Sequence, residues 1–233
     1  MIEKTLKTTK GKLRVKIPSQ LNEVTLGQMM EIQQYPVLND IGAISVLSGL
    51  SVEQLQNVSD INGFQVFGDI VLSLSHQIKH LYNSDAVPKK MTFSFTGHNT
   101  TVNVINNLSV EPAGAFMAAR EIIADEINEH IKQYGKDDWQ ENFSPSLKAC
   151  CQVLAHYFYC RVTNKKYNEY EVEEFCNEIK KLRVTEALPV AKHFFTCYPS
   201  LSKQKTNFFR RLLRSWKKGP GYNLSKNLNI SIQ

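Results

Sequence analysis

Apolar positions recur along this chain in two periods, and the change between them marks out the elements. Leu13, Val15 and Ile17 alternate with Arg14 and Lys16, the period of a half-buried strand, and Pro18 ends the run. From Thr25 onward the spacing is helical. Thr25 is placed as an N-cap, Leu26, Met29, Met30 and Ile32 follow on one face, and Pro36 stops the helix. Ile41, Ile44 and Leu47 define a short helix over about 39–48, with Gly49 as its stop. Ser51 with Gln54 three residues on predicts a capping box and another helix start. Phe67, Ile70, Val71, Leu74, Ile78 and Leu81 form the stripe of a longer helix over 63–83.

The period changes after Pro88. Phe93 and Phe95 alternate with Thr92, Ser94 and Thr96, and Val102 and Val104 with Thr101 and Asn103, around Gly97-His98-Asn99. This predicts a β-hairpin over about 91–105. With the strand at 13–17 it would make a small antiparallel sheet of three strands, held against helices because a lone hairpin is marginal. After Pro112 the helical period returns. Phe116, Ala119, Ile123, Ile127 and Ile131 mark a helix ending near Gly135, and the polar stretch 136–144 reads as a loop. Leu147, Cys150, Cys151, Leu154 and Phe158 mark the next helix, and Val172, Phe175, Ile179 and Leu182 mark one over 169–182. Thr185 to Tyr198 is expected as a helix with Pro189 in its first turn. The fold class is therefore α+β, predominantly helical, with a small antiparallel sheet.

The chain has 233 residues, enough for a substantial core, and no run of eighteen apolar residues. Its first residues are polar, so a secretory leader is not expected and use in a cytoplasm is. The five cysteines form no C-x-x-C pair, and Cys150, Cys151, Cys160 and Cys176 lie among apolar or helical residues, which fits buried thiols.

Charge divides the chain. Residues 1–20 hold six Lys/Arg against one acid, a net +5, and 203–218 hold seven against none, a net +7. The body, 21–202, holds fourteen against twenty-one, a net −7. The organisation expected is a basic, flexible N-terminal arm over 1–12, one α+β domain over 13–200, a basic amphipathic helix over 203–218 and a C-terminal arm over 219–233.

The strongest candidate binding feature is 206–218. At about 100° per residue, Phe208, Phe209, Leu212, Leu213 and Trp216 fall on one side and Arg210, Arg211, Arg214, Lys217 and Lys218 on the other. One reading is a last helix packed on the core with a solvated basic face. Another is a cationic face meeting phosphates or an acidic protein surface, and a third is a membrane surface. The final residues keep Leu228, Ile230 and Ile232 in alternation, the pattern of a disordered tail or of an arm adding a strand to a neighbour's sheet.

Catalytic signals are weak. His76 and His80 have helical metal spacing without a third ligand, and read as surface or packing residues. His156 reads as a core or interface residue. Asp125, Glu126, Glu129 and His130 resemble a solvated face more than a di-metal site. No phosphate-loop, nucleophile-elbow or zinc-protease motif occurs. No catalytic residue, cofactor or metal is expected, although a site assembled from distant residues would escape a motif search.

Two stretches carry a family resemblance. Val24-Thr25-Leu26-Gly27-Gln28-Met29-Met30-Glu31-Ile32, followed by Ile44-Ser45-Val46-Leu47-Ser48-Gly49-Leu50-Ser51-Val52-Glu53-Gln54-Leu55, resembles the opening of tail-assembly-chaperone-like proteins of tailed bacteriophages. The style is that of phages infecting Bacteroides, crAss-like phages among them. Ala187-Leu188-Pro189-Val190-Ala191 with Phe194-Phe195 resembles a late segment of the same proteins. The similarity covers about 13–200, and the basic, aromatic extension 203–233 departs from it.

The resemblance implies phage morphogenesis without enzymatic activity, as a tail or neck ring, connector or assembly component. The expected partners are other virion or tail proteins and copies of the same chain, with no membrane. The expected location is the virion, and the host cytoplasm during assembly. The alternative is a nucleic-acid-binding cargo protein using the basic ends.

Overall fold

The computed structural model describes residues 1–35, 39–78, 86–95, 97–104, 111–135 and 143–197. Among them, β1 (Ile2–Thr8) and β2 (Gly11–Ile17) lead into a short 3-10 turn, Leu21–Glu23. Then follow α1 (Leu26–Gln34), α2 (Asp40–Ser48), α3 (Val52–Gln56) and α4 (Ile61–Ile78). A second hairpin, β3 (Lys90–Phe95) and β4 (His98–Asn103), precedes α5 (Ala113–Tyr134), α6 (Leu147–Thr163), α7 (Glu169–Ile179) and α8 (Val184–Cys197). The fold is α+β and mostly helical, as the periodicity predicts.

Local chemistry sets most helix starts. Thr25 Oγ1 accepts from the Gln28 amide at 3.2 Å while Gln28 Oε1 accepts from the Thr25 amide at 3.0 Å, a complete capping box. Ser51 and Gln54 make the same reciprocal pair. Asn39 caps α2 through the Gly42 amide at 2.8 Å, and Gly49 ends it in the left-handed region at φ 72°.

Three expectations about strands are corrected. Residues 1–12 are not a flexible arm, because Ile2–Thr8 pairs antiparallel with Gly11–Ile17 along its whole length. Leu6 is buried in that pairing, opposite Leu13. Beyond the turn, the hairpin tip is tied down by the Thr9 amide to the Asn57 carbonyl at 3.0 Å and the Ser59 amide to the Lys7 carbonyl at 2.9 Å. Nor do 13–17 and the 91–105 hairpin share a sheet. The sheets are two separate pairs, β1-β2 and β3-β4, each held on different helices. β2 packs on α2, while β3 and β4 pack on α6 and β3 also on α7. Within the second hairpin His98 and Asn99 belong to β4 rather than to the turn, with His98 opposite Phe95.

Pro189 is also displaced. It is the sixth residue of α8 rather than part of its first turn, so it removes the amide that would have bonded the Thr185 carbonyl.

The core is one continuous cluster running from Leu6 to Phe195. Its centre is α6, which is apolar almost all round and buried at Val153, Leu154, Ala155, Tyr157, Phe158 and Tyr159. It packs against α5, α7, α8 and α1. Phe93 of β3 meets Phe158 in a tilted ring contact with centroids 4.9 Å apart, and Tyr157 meets Phe194 of α8 at 4.7 Å. A helix with apolar side chains on every face has to sit inside, and the rest of the chain wraps it.

Candidate interaction surfaces

The residues expected to form a C-terminal amphipathic helix, Phe208, Phe209, Arg210, Arg211, Leu212, Leu213, Arg214, Trp216, Lys217 and Lys218, lie outside the described residues, as do 219–233, expected as an arm. His80 does too. The sites that can be placed are the other charged, polar and thiol groups.

The basic N-terminal segment becomes a surface. In the β1–β2 register, Ile2 and Ile17, and Leu6 and Leu13, point toward the core with Val15. The opposite face carries Glu3 across from Lys16, Thr5 across from Arg14, and Lys7 across from Lys12, all exposed, with Lys10 in the turn. Period-two alternation places these cations together on solvent because the other face is buried. Arg14 Nε meets Glu3 Oε1 at 2.6 Å. The Arg14 guanidinium holds the Glu3 carboxyl below the usual carboxylate range. Lys7, Lys10 and Lys12 have no acidic partner among the described residues. Sequence reading saw the alternation over 13–17 but not its continuation in 2–8, where only Ile2 and Leu6 mark the buried face.

An acidic counterpart lies on α7. Val172, Phe175 and Ile179 face the core. Glu169, Tyr170, Glu173, Glu174 and Asn177 are exposed, and Tyr170 stands 84% clear. At the margins Glu171 meets Lys165 at 2.6 Å and Glu178 meets Lys181 at 2.7 Å.

The candidate catalytic groups are dispersed. Glu126 accepts the Ser146 amide at 2.5 Å, next to the N-terminus of α6, and Glu129 pairs with Lys132 at 2.5 Å. His130 packs between Tyr134 and Phe143, at centroid distances of 4.4 and 5.2 Å, and its Nε2 is buried without a hydrogen-bond partner among the described residues. These residues edge an open polar cleft of about 440 Å³ with Ser144 and Ser146. No group of three His, Cys, Asp or Glu among the described residues is placed to hold a metal. His76 is exposed on α4. His156 is buried and its Nδ1 lies 3.0 Å from the Tyr167 hydroxyl. Burial pulls its pKa down, against the opposing charge of Glu169.

Two further features were not singled out in the sequence. Glu111, just ahead of α5, is buried against Arg161 of α6 in an ion pair, and Arg161 also lies 4.6 Å over the Tyr157 ring. Burial raises the Glu111 pKa, and the arginine only partly opposes it. An apolar cavity of about 160 Å³ opens between Met29 and Ile32 of α1, Ala43 and Leu47 of α2, and Val71 and Leu74 of α4. Of the thiols, Cys150 and Cys151 are buried as expected, while Cys160 and Cys176 are only half-buried.

No helix among the described residues is long and apolar enough to cross a membrane. No family model matches the chain, and neither a curated protein nor a solved structure does.

Proposed function

We propose that this chain is a non-enzymatic morphogenesis protein of a tailed bacteriophage, a ring, connector or tail-assembly component that works through protein–protein contacts. The observation that carries the reading is charge held in a fixed geometry. A cationic face is locked onto the body as a hairpin, and the body from 21 to 202 has a net charge of −7. Copies with oppositely charged surfaces are suited to oriented head-to-tail association.

The phage assignment rests on the motif resemblance, and the packing of those motifs supports it. The start of α1, at Thr25-Leu26-Gly27-Gln28, is joined by backbone to the segment that leads into α8. The Leu26 amide donates to the Leu182 carbonyl at 2.8 Å, and the Val184 amide to the Val24 carbonyl at 2.9 Å. These bonds tie the first stretch to the residues just ahead of the second, and α1 also packs on α8. In this reading the protein acts in the virion, or in the host cytoplasm during assembly, with portal, tail and tail-tube proteins and its own copies as partners.

Mass spectrometry of purified virions tests the reading, together with pull-down against portal and tail proteins. Presence in particles, or capture of those partners, is the expected result. A chain that stays monomeric, binds none of them and is missing from particles overturns it.

The alternative is nucleic-acid binding through the basic ends, favoured by the same exposed lysines and by the seven cations of 203–218. A gel-shift titration at two salt concentrations tests it. Affinity falling steeply with salt supports it, and no shift at low salt rules it out.

A further inference from the structure

The geometry points to a specific contact between copies: the cationic face of the β1–β2 hairpin of one molecule docks on the acidic outward face of α7 of the next. This rests on the assembly reading above and names the surfaces that would carry it.

The hairpin face is set up to receive negative charge. Lys7 and Lys12 stand directly across from one another, and Lys10 lies at the adjoining turn. Like charges directly opposite on one face destabilise a hairpin, and cross-strand Cβ atoms are only about 4.5–5.5 Å apart. The fold tolerates this cost at the tip, where the only hairpin acid, Glu3, is at the far end and already engaged by Arg14. Lys12, Arg14 and Lys16 then continue along β2 at every second residue, about 6.7 Å apart.

The α7 face complements it in sign and spacing. Glu169 and Glu173 are one helical turn apart on the outward side, with Cβ atoms about 5–6 Å apart. That separation matches the Lys7–Lys12 pair. Glu174 extends the acidic strip beyond Tyr170. Glu169, Glu173 and Glu174 have no ion-pair partner among the described residues, unlike Glu171 and Glu178 at the margins. Tyr170 rises among these carboxylates and offers the aromatic contact that rim charges lack.

The two surfaces belong to different layers. The hairpin packs on α2 and α4, and α7 packs on α6 and β3. A contact between them is heterologous, so each copy gives its hairpin to one neighbour and its α7 to another, and the series closes into a ring or grows as a filament. A second copy fits better than a nucleic acid, which would bring its phosphates up to a body that is itself negatively charged. Exposed charge pairs mainly set orientation and association rate, so the contact should weaken with salt.

The experiment is a charge swap in the full chain, read by sedimentation velocity and crosslinking mass spectrometry at low and high salt. K7E/K12E and E173K/E174K should each weaken self-association by about tenfold or more. All four residues are exposed, so the melting temperatures should be retained. Mixing the two variants should restore association, because each supplies the surface the other has lost, and crosslinks should join the hairpin to α7. If the wild type associates but ignores both reversals, or the mixture fails to recover, the docking is overturned while the assembly reading stands. If the wild type does not self-associate yet captures portal or tail proteins, the docking is again overturned and the reading survives. If K7E/K12E abolishes nucleic-acid binding and leaves self-association unchanged, the hairpin belongs to a nucleic acid and the docking is overturned.

Discussion

The Gly27 amide donates to the Lys180 carbonyl at 2.8 Å, and a Cβ placed on Gly27 would stand 3.1 Å from that same oxygen and from Lys180 Cβ. The start of α1 is thereby pressed onto the end of α7, with Leu26 and Leu182 bonded beside it. The glycine of the Leu-Gly-Gln motif is where two backbones meet, not a loose joint.

Gly27→Ala measures that contact. In an unobstructed helix the change would stabilise by up to about 1 kcal/mol. Here the methyl meets backbone, and overpacking of this kind costs about 1–3 kcal/mol. The second effect wins, so the urea midpoint should fall, and Gly27→Val should lower it further. A midpoint that rises for Gly27→Ala would mean that the α7 end moves away easily.

Arg161 is the sole cation in an ion pair with the buried Glu111 among the described residues, and it also donates to the Asn103 carbonyl at 3.2 Å. Arg161→Ala should destabilise by about 3 kcal/mol, since it strands a buried carboxyl. Glu111→Gln should cost less, because a neutral amide needs no counter-charge. Burial has already raised the Glu111 pKa above its unfolded value, so its contribution is fully present at low pH and is lost as pH rises through the folded value. Removing the arginine raises that value further. Relative to the wild type, Arg161→Ala should therefore lose further stability as pH rises above the ordinary carboxylate range, which the difference between their denaturant melts at stepped pH would show.

His156 acts in the opposite sense. Its folded pKa lies below the unfolded one because it is buried, so the native state prefers the neutral ring. The groups facing it are the Tyr167 hydroxyl and, from the start of α7, the Glu169 carboxylate, which partly offsets the burial. Its contribution is present above the ordinary histidine range and is lost as pH falls through the folded value. The His156 component of wild-type stability should therefore fall from pH 7.5 toward pH 5, opposite in sense to the Glu111 component. His156→Gln should flatten that part of the profile, and an unchanged slope would assign the drop to other groups.

The described thiols should differ in reactivity. The free Cys151 thiol donates to the Cys176 carbonyl at 3.6 Å, and hydrogen bonding from Cys151, helped by Lys180, holds the Cys176 pKa below the usual thiol range, with Cys176 half-buried. Cys150 is pushed far up by burial, with Glu126 adding to it. Cys151 is pushed up by its hydrogen bond with Cys176 and by burial, and Cys160 by burial. In a Cys197→Ser background, a brief iodoacetamide pulse at pH 7.5 should mark Cys176 first. Peptide mass spectrometry reads the order, and early labelling of Cys150 would contradict the packing of α6.

Much of the helical framework can be read locally. Thr25 with Gln28 and Ser51 with Gln54 announce helix starts because their capping bonds close within four residues. The apolar stripes of α4 and α5 do the same through their spacing. The first strand cannot be read this way. Ile2 and Leu6 are too sparse to show alternation, and the segment is ordered by its seven-residue register with β2 and by bonds to Asn57 and Ser59. The basic segment looked like a solvated arm because lysines favour solvent whether or not the backbone beneath them is paired.

By itself, then, the sequence determined the fold class, most helix boundaries and the division into basic ends and an acidic body, because caps, periodicity and charge are properties of neighbouring residues. Only the tertiary structure decided which strand pairs with which and that Pro189 sits a turn deeper in α8. It alone placed Glu111 against Arg161, and set Lys7 across from Lys12 on one exposed face. Those relationships join residues five to fifty positions apart, and the chain meets them only when its strands pair and its helices pack.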